Sequence, residues 1–256
     1  MYGDDTIMIK LIASDLDGTM FEKGNTIPET NLKAMQDINN SNINFTICTG
    51  KTYSLFKDIC KEIEDGYGIF GNGNQIINLK TGKELYRKIL DNDDVLFCIN
   101  EAKKLKLHIH LYTNNEVITE KLLYMDLRNF ELTKNGKNRE LEFKVLEDIK
   151  QYVIEERPEI LKLVVSAEKD LEKLKGEFTK NKNLQVNLIK KTNKYKDEII
   201  GKEYEYLDII PVGINKEQAL EVLEEYLKID KSEVLAIGDN LNDLEMVKDS
   251  GIGIAV

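Results

Sequence analysis

Short apolar runs alternate with amphipathic segments at both ends of this chain, an order that predicts strand and helix in turn. Lys10-Leu11-Ile12-Ala13-Ser14 is a mostly apolar run that meets a charged turn, as a strand buried on both faces would. Leu32, Met35 and Ile38 then fall at helical spacing within Pro28–Asn40, with Pro28 where a first turn tolerates proline. Ile43–Cys48 reads as a second strand, Tyr53–Ile63 as a helix, and Gly68-Ile69-Phe70 as a short strand entering Gly71-Asn72-Gly73. The far end repeats the pattern. Asn215 and Gln218 resemble a capping box ahead of the apolar stripe Ala219, Leu220, Leu223, Tyr226 and Leu227. Ser232–Ile237 is a buried-type strand running into Gly238-Asp239, and Leu241–Lys248 a further helix. Such alternation predicts an α/β domain with a parallel sheet and crossover helices.

The middle is richer in Lys and Glu. Helices are expected at Asp93–Leu105, Leu146–Glu156 and Ala167–Lys180, and strands at Lys106–Tyr112, Ile160–Val165, Leu184–Ile189 and Tyr204–Ile210. With Thr81-Gly82 and Pro211-Val212-Gly213 as crossing points, residues 82–210 form an inserted domain between the two parts of the first, 1–81 and 211–256.

Charge narrows the function classes. The 36 Lys+Arg against 46 Asp+Glu leave a formal charge of −10, which argues against a nucleic-acid binder. Lys190-Lys191 with Lys194 and Lys196 reads as solvated surface. No apolar run approaches the ~18–20 residues of a membrane span, and MYGDDTIMIK lacks a signal-peptide layout, so neither a membrane nor secretion is expected and the location is cytosolic. Cys48, Cys60 and Cys98 have no C-x-x-C spacing and suit reduced, buried thiols. His108 and His110 alternate on a predicted strand and so share a face; without a third ligand nearby they read as ordinary strand histidines rather than a metal pair.

The candidate chemistry lies at strand ends. Asp15 and Asp17 follow the first strand, Thr49 the second, and Asp239 and Asp243 the last. An open parallel sheet gathers such residues at its carboxyl edge. Two unit charges 4 Å apart repel by about 4 kcal/mol at an effective dielectric of 20, so four carboxylates together need neutralising. Mg2+ suits them, since it takes a few carboxylates and leaves positions for water and phosphate. Lys216, opening a helix whose N-terminus is electropositive, adds positive charge. Within DLDGT, Gly18 lets the backbone turn close to a ligand. A calcium-binding EF-hand is excluded because loop positions 6 and 12, counted from Asp15, hold Met20 and Thr26.

DLDGT, Thr49-Gly50, Lys216 within GINKEQAL, and GDNLND at Gly238–Asp243 resemble, in order, the four motifs of the haloacid dehalogenase (HAD) superfamily. The insertion between Thr49 and Lys216, with Asn72-Gly73 near its start, is similar to the Cof-type branch with a class IIB α/β cap. The resemblance implies a Rossmann-like parallel-sheet core with an inserted cap, and a Mg2+-dependent phosphatase of small phosphorylated metabolites. By it, Asp15 is the nucleophile that becomes an aspartyl-phosphate, and Asp17 the acid and base. Thr49, the Gly50 backbone, Gly18, Lys216 and Asn242 contact the phosphoryl oxygens. Asp15, the Asp17 carbonyl, Asp239 and Asp243 hold Mg2+. Asn72 is explained by an Asn-Gly turn without any ligand.

Two departures from the resemblance stand out. Lys51 follows Thr49-Gly50 where relatives often carry Arg, replacing a bidentate fork with a point charge. The chain stops at Gly251–Val256 where relatives usually continue, so an exposed apolar patch with reduced stability or self-association is expected there. A phosphotransferase or mutase of the same fold, and a non-catalytic phosphometabolite sensor, remain as alternatives.

Overall fold

The structure is a computed structural model that describes residues 8–21, 27–60, 63, 65–122, 143–167, 171–190 and 205–256. It divides into one unit of residues 1–87 and 214–256 and another of 88–213.

The first unit is built on a seven-stranded sheet in the order β13-β12-β1-β2-β3-β4-β5. These strands are β1 Leu11–Asp15, β2 Asn44–Cys48, β3 Tyr67–Phe70, β4 Gln75–Asn78, β5 Glu84–Arg87, β12 Val234–Gly238 and β13 Ile252–Ala255. From β13 to β3 the pairing is parallel, and β4 and β5 add antiparallel hairpins. Alternation along the strands feeds two cores. Phe45 and Ile47 of β2 pack with Leu16, Met35, Phe56 and Phe70, beside α1 (Glu29–Asn40) and α2 (Tyr53–Cys60). Cys48, with Leu11 and Ala13 of β1, packs with Ala219, Leu220, Leu223 and Met246 of two later helices. Helices on both faces bury most positions of the central strands β1 and β2, which is why they are readable as buried runs.

The second unit carries a six-stranded sheet, β10-β11-β9-β6-β7-β8. Its strands are β6 His108–Tyr112, β7 Val117–Thr119, β8 Phe143–Val145, β9 Lys162–Ala167, β10 Leu184–Lys190 and β11 Glu205–Pro211. All pair antiparallel except β7 with β8. One face, with Ile109, Leu111, Leu163, Val165, Leu207 and Ile209, packs on α3 (Asn92–Lys104), α4 (Ile149–Glu156) and α5 (Glu172–Phe178). Asp91 and Asp148 cap α3 and α4 by accepting from backbone N–H groups.

Several expectations shift. Thr81-Gly82 is the turn of the β4–β5 hairpin, closed by Gly82 N–H donating to the Asn78 carbonyl at 2.8 Å, so the chain leaves the first unit only after Arg87. Ala167 ends β9 instead of opening a helix, which begins at Glu172; residues 168–170 lie outside the described residues. Lys231–Glu233 is a capped turn ahead of β12, and Leu241–Asp243 a single tight turn before the helix Leu244–Asp249. Tyr204 and Lys191, Lys194 and Lys196 lie outside the described residues. The three cysteines are buried and outside any disulfide. His108 and His110 do share a face, with their Nε2 atoms 3.0 Å apart in a hydrogen bond. Ile252, Ile254 and Val256 are exposed. Among the described residues, no helix is long and apolar enough to cross a membrane.

Candidate active site

Register places the site. Asp15 lies opposite Cys48, and Ser14 opposite Ile237, so the residues after β1, β2 and β12 leave the sheet at one edge and one level. Asp15 is buried there. Its Oδ1 accepts from Lys216 Nζ at 2.5 Å, and the same ammonium donates to Asp243 Oδ1 at 2.5 Å. Lys216 opens α6 (Lys216–Leu227), whose start is set by Asn215, its Oδ1 accepting from Gln218 N–H at 2.8 Å. That lysine is only 1% exposed, as is Asp243. Asp243 is held from behind as well, Oδ2 accepting from Asn240 N–H at 3.1 Å. Asp239, at the mouth, is exposed. Oxygens of Asp15, Asp239 and Asp243 all lie within 4.8 Å of one another.

Two glycines make this approach possible. A Cβ on Gly18, whose φ is +94°, would stand 2.2 Å from Asp239 Oδ2, and one on Gly238 would stand 2.4 Å from the Asp243 Cβ.

Thr49 is fully buried. Its N–H donates to the Ile69 carbonyl at 2.9 Å, its Oγ1 accepts from Lys51 N–H at 3.2 Å, and its carbonyl accepts from Asn72 N–H at 3.0 Å. Asn72, at φ +59°, accepts through Oδ1 from Asn242 Nδ2 at 3.3 Å, and it lies against Gly50, where a Cβ would meet its Oδ1 at 3.0 Å. The Asn-Gly turn thus joins the segment after β2 to the segment after β12. Asp17, half exposed, forms an ion pair with Lys51.

The chain matches the family model of haloacid dehalogenase-like hydrolases over residues 12–256, nearly its whole length. It belongs to that family. Among curated relatives, 5-amino-6-(5-phospho-D-ribitylamino)uracil phosphatase YcsE of Bacillus subtilis (strain 168) is 25% identical over 253 residues, covering 98% of this chain and 85% of the relative. A haloacid dehalogenase-like hydrolase from Bacteroides thetaiotaomicron superposes with a TM-score of 0.79 at 25% identity, covering 96% of this chain and 88% of that one. The subclass IIB sugar phosphatase BT4131 shares the fold at a TM-score of 0.70 and 15% identity, over 96% of this chain and 86% of its own. The fold is accordingly a haloacid dehalogenase-type core with an inserted α/β domain of the Cof-type, class IIB kind, and the chain is an enzyme, a phosphatase of this family.

Electrostatics in this haloacid dehalogenase site follow from burial. Burial raises the Asp15 carboxyl to about 6 against the pull of Lys216, with Asp243 adding to the rise. Burial works against the Lys216 ammonium, yet Asp15 and Asp243 outweigh it and move that group above its usual value. Asp239 is raised by burial and then by Asp243. With all of these ionised, three carboxylates face one ammonium and leave two negative charges in excess. A dication with oxygen ligands cancels that excess, and this all-oxygen donor set suits Mg2+ over softer metals.

The sequence-derived residues therefore divide. Asp15, Asp239, Asp243 and Lys216 converge; Thr49, Gly50 and Asn242 join them through Asn72; Gly18 packs against Asp239. The Asp17 side chain turns to Lys51 and stands outside the carboxylate trio. Asn72, read from the sequence as a plain turn residue, is both turn and bridge. Lys51, noted only as a departure, is the partner of Asp17. No sequence signal marks that pairing, because it depends on a turn and a strand end that are far apart in the chain.

Proposed function

We propose that this phosphatase hydrolyses phosphomonoesters of small metabolites, with Mg2+, through an aspartyl-phosphate on Asp15. The observation that carries the reading is the buried Lys216 ammonium bonded at once to Asp15 and Asp243 while Asp239 completes a net-negative trio. Asp15, Asp239 and the Asp17 carbonyl would hold Mg2+, with Asp243 in support; the ion supplies charge neutralisation for the phosphoryl oxygens.

In the first step, an Asp15 carboxylate oxygen forms a bond to phosphorus as the bond from phosphorus to the leaving oxygen breaks. The proton of the Asp17 carboxyl passes to that leaving oxygen, which departs as an alcohol. In the second, water bonds to phosphorus and gives its proton to the Asp17 carboxylate, while the Asp15–phosphorus bond breaks and inorganic phosphate leaves. Lys216, the Thr49 hydroxyl, the Gly50 and Gly18 backbone and Asn242 contact the phosphoryl oxygens and stabilise the charge spread over them. The inserted α/β domain would act as the cap that selects the leaving group. The phosphorylated metabolite in the relative's name supports a small phosphorylated substrate. Three buried thiols outside any disulfide suit a reducing compartment, and we place the reaction in the cytosol.

A phosphate-release screen over sugar, polyol and cofactor phosphates, with Mg2+ and with chelator, tests this beside Asp15→Asn. Release that needs Mg2+ and is absent from the variant is expected. Equal release by Asp15→Asn overturns the assignment of the nucleophile. Phosphate delivered to an added sugar rather than to water would make the enzyme a phosphotransferase.

A further inference from the structure

The Lys51 side chain rests on two aromatic rings. Its ammonium lies 4.6 Å from the centroid of Phe56 and 5.5 Å from that of Phe21, while it pairs with Asp17. The rings themselves are 5.6 Å apart. Each part of the seat is fixed by its own local structure. Phe21 is folded back by a turn in which the N–H groups of Met20 and Phe21 both donate to the Leu16 carbonyl, at 3.0 and 2.9 Å. Phe56, on α2, is 3% exposed and packs in the core with Leu16 and Phe70. The Lys51 backbone is held at both ends, N–H donating to Thr49 Oγ1 and the carbonyl accepting from Gly71 N–H at 2.8 Å.

A lysine ammonium is a point charge on a flexible stem and has none of the fixed fork that lets arginine orient a carboxylate by itself. Aromatic faces within about 6 Å attract such a cation through the ring quadrupole. Here the two rings and Asp17 hold the same ammonium together. We infer that Phe56, assisted by Phe21, is a positioning residue for Asp17 that acts through Lys51: the rings fix the ammonium, and the ammonium fixes the carboxyl group that delivers a proton to the leaving oxygen. The inference rests on the acid role proposed for Asp17.

That role supplies a readout which packing alone would not move. Nitrophenolate leaves without needing a proton, whereas a sugar alkoxide must be protonated as it departs. The test compares kcat/KM for p-nitrophenyl phosphate with kcat/KM for the sugar phosphate hydrolysed fastest in the screen. Phe56→Leu should slow the sugar phosphate by about two- to fivefold, the range a cation–π contact is worth in rate, and the aryl ester by less. Lys51→Met should slow the sugar phosphate by roughly tenfold, as expected for losing a charge-assisted hydrogen bond, and Lys51→Arg should recover most of that. In the Lys51→Met background, Phe56→Leu should have no further effect on rate. Because Phe56 is buried, rates are taken below the melting temperature of each variant, and Phe21→Leu, at a half-buried ring, should give the same pattern at smaller size. Multiplying effects of Phe56→Leu and Lys51→Met, or equal slowing of the two esters, would overturn this inference alone. A wild-type enzyme inert toward both esters would remove the reading of the site and the inference with it.

Discussion

Lys216 in the first unit and Lys162 in the second are both largely buried lysines held by aspartates, and the difference between them separates a site from a brace. Lys162 meets Asp208 at 2.6 Å across neighbouring strands, with side-chain exposures of 13% and 2%. This pair of opposite charges lies inside a regular sheet and outside the carboxylate trio found among the described residues. Lys216 meets Asp15 and Asp243, each at 2.5 Å, and Asp239 adds a third carboxylate at the end of parallel strands. Here the fold holds negative charge in excess at a sheet edge, and one of its carboxylates, Asp239, is exposed. Imbalance together with convergence marks the functional cluster; a buried ion pair alone does not.

The comparison can be broken most forcefully at Lys216. Lys216→Met leaves Asp15 and Asp243 facing each other in a buried space, so phosphate release should fall by at least ~100-fold. Stability in urea should fall by about 3–5 kcal/mol, the cost of an uncompensated buried charge. Retained turnover would show that the ammonium is a brace like its counterpart in the second unit.

Lys162→Met gives the next effect, also about 3–5 kcal/mol in urea, for the same reason. Lys162→Met combined with Asp208→Leu should recover most of that loss, since a buried ion pair removed together can be exchanged for apolar packing. A double variant as unstable as the single one would mean that Asp208 serves more than its lysine.

A smaller test asks whether excess charge without convergence has any consequence beyond stability. Glu217, Glu221 and Glu224 lie along α6, and Glu224 is raised to about 7 by burial, then by Glu221 and Glu217. A carboxyl whose folded value lies above its usual 4.5 is disfavoured in its ionised form by folding, so stability is full below that value and is lost as pH rises through about 7. Glu224→Gln should therefore melt with wild type near pH 4.5 and a few degrees above it at about pH 8, with phosphate release unchanged. Equal melting at both pH values would remove the burial argument.

What could be read from the sequence follows the same division. The central parallel strands β1, β2 and β12 of the first unit are mostly buried and stand out as apolar runs whose ends carry Asp15, Thr49 and Asp239. The hairpin strand β5 is half-buried throughout and β8 has an exposed end, so neither has a pattern strong enough to find, and the division after Arg87 was missed with β5. Within the site, motif spacing reveals the carboxylates, Lys216 and Thr49. It cannot reveal that Asn72 adopts φ +59° and reaches Asn242, or that Phe21 folds back beneath Lys51, because both depend on turns that bring distant segments together.

The most direct test of the central claim is to trap the intermediate. Enzyme mixed with a 32P-labelled sugar phosphate and Mg2+, quenched in acid and digested, should yield one labelled peptide carrying Asp15, with the label released by hydroxylamine as an acyl phosphate requires. Given 32P-labelled p-nitrophenyl phosphate, whose leaving group needs no proton, Asp17→Asn should form the intermediate, lack the base that resolves it and accumulate more label than wild type. Label on any other residue, or turnover with no acid-stable label in either protein, would contradict Asp15 as the group that accepts the phosphoryl.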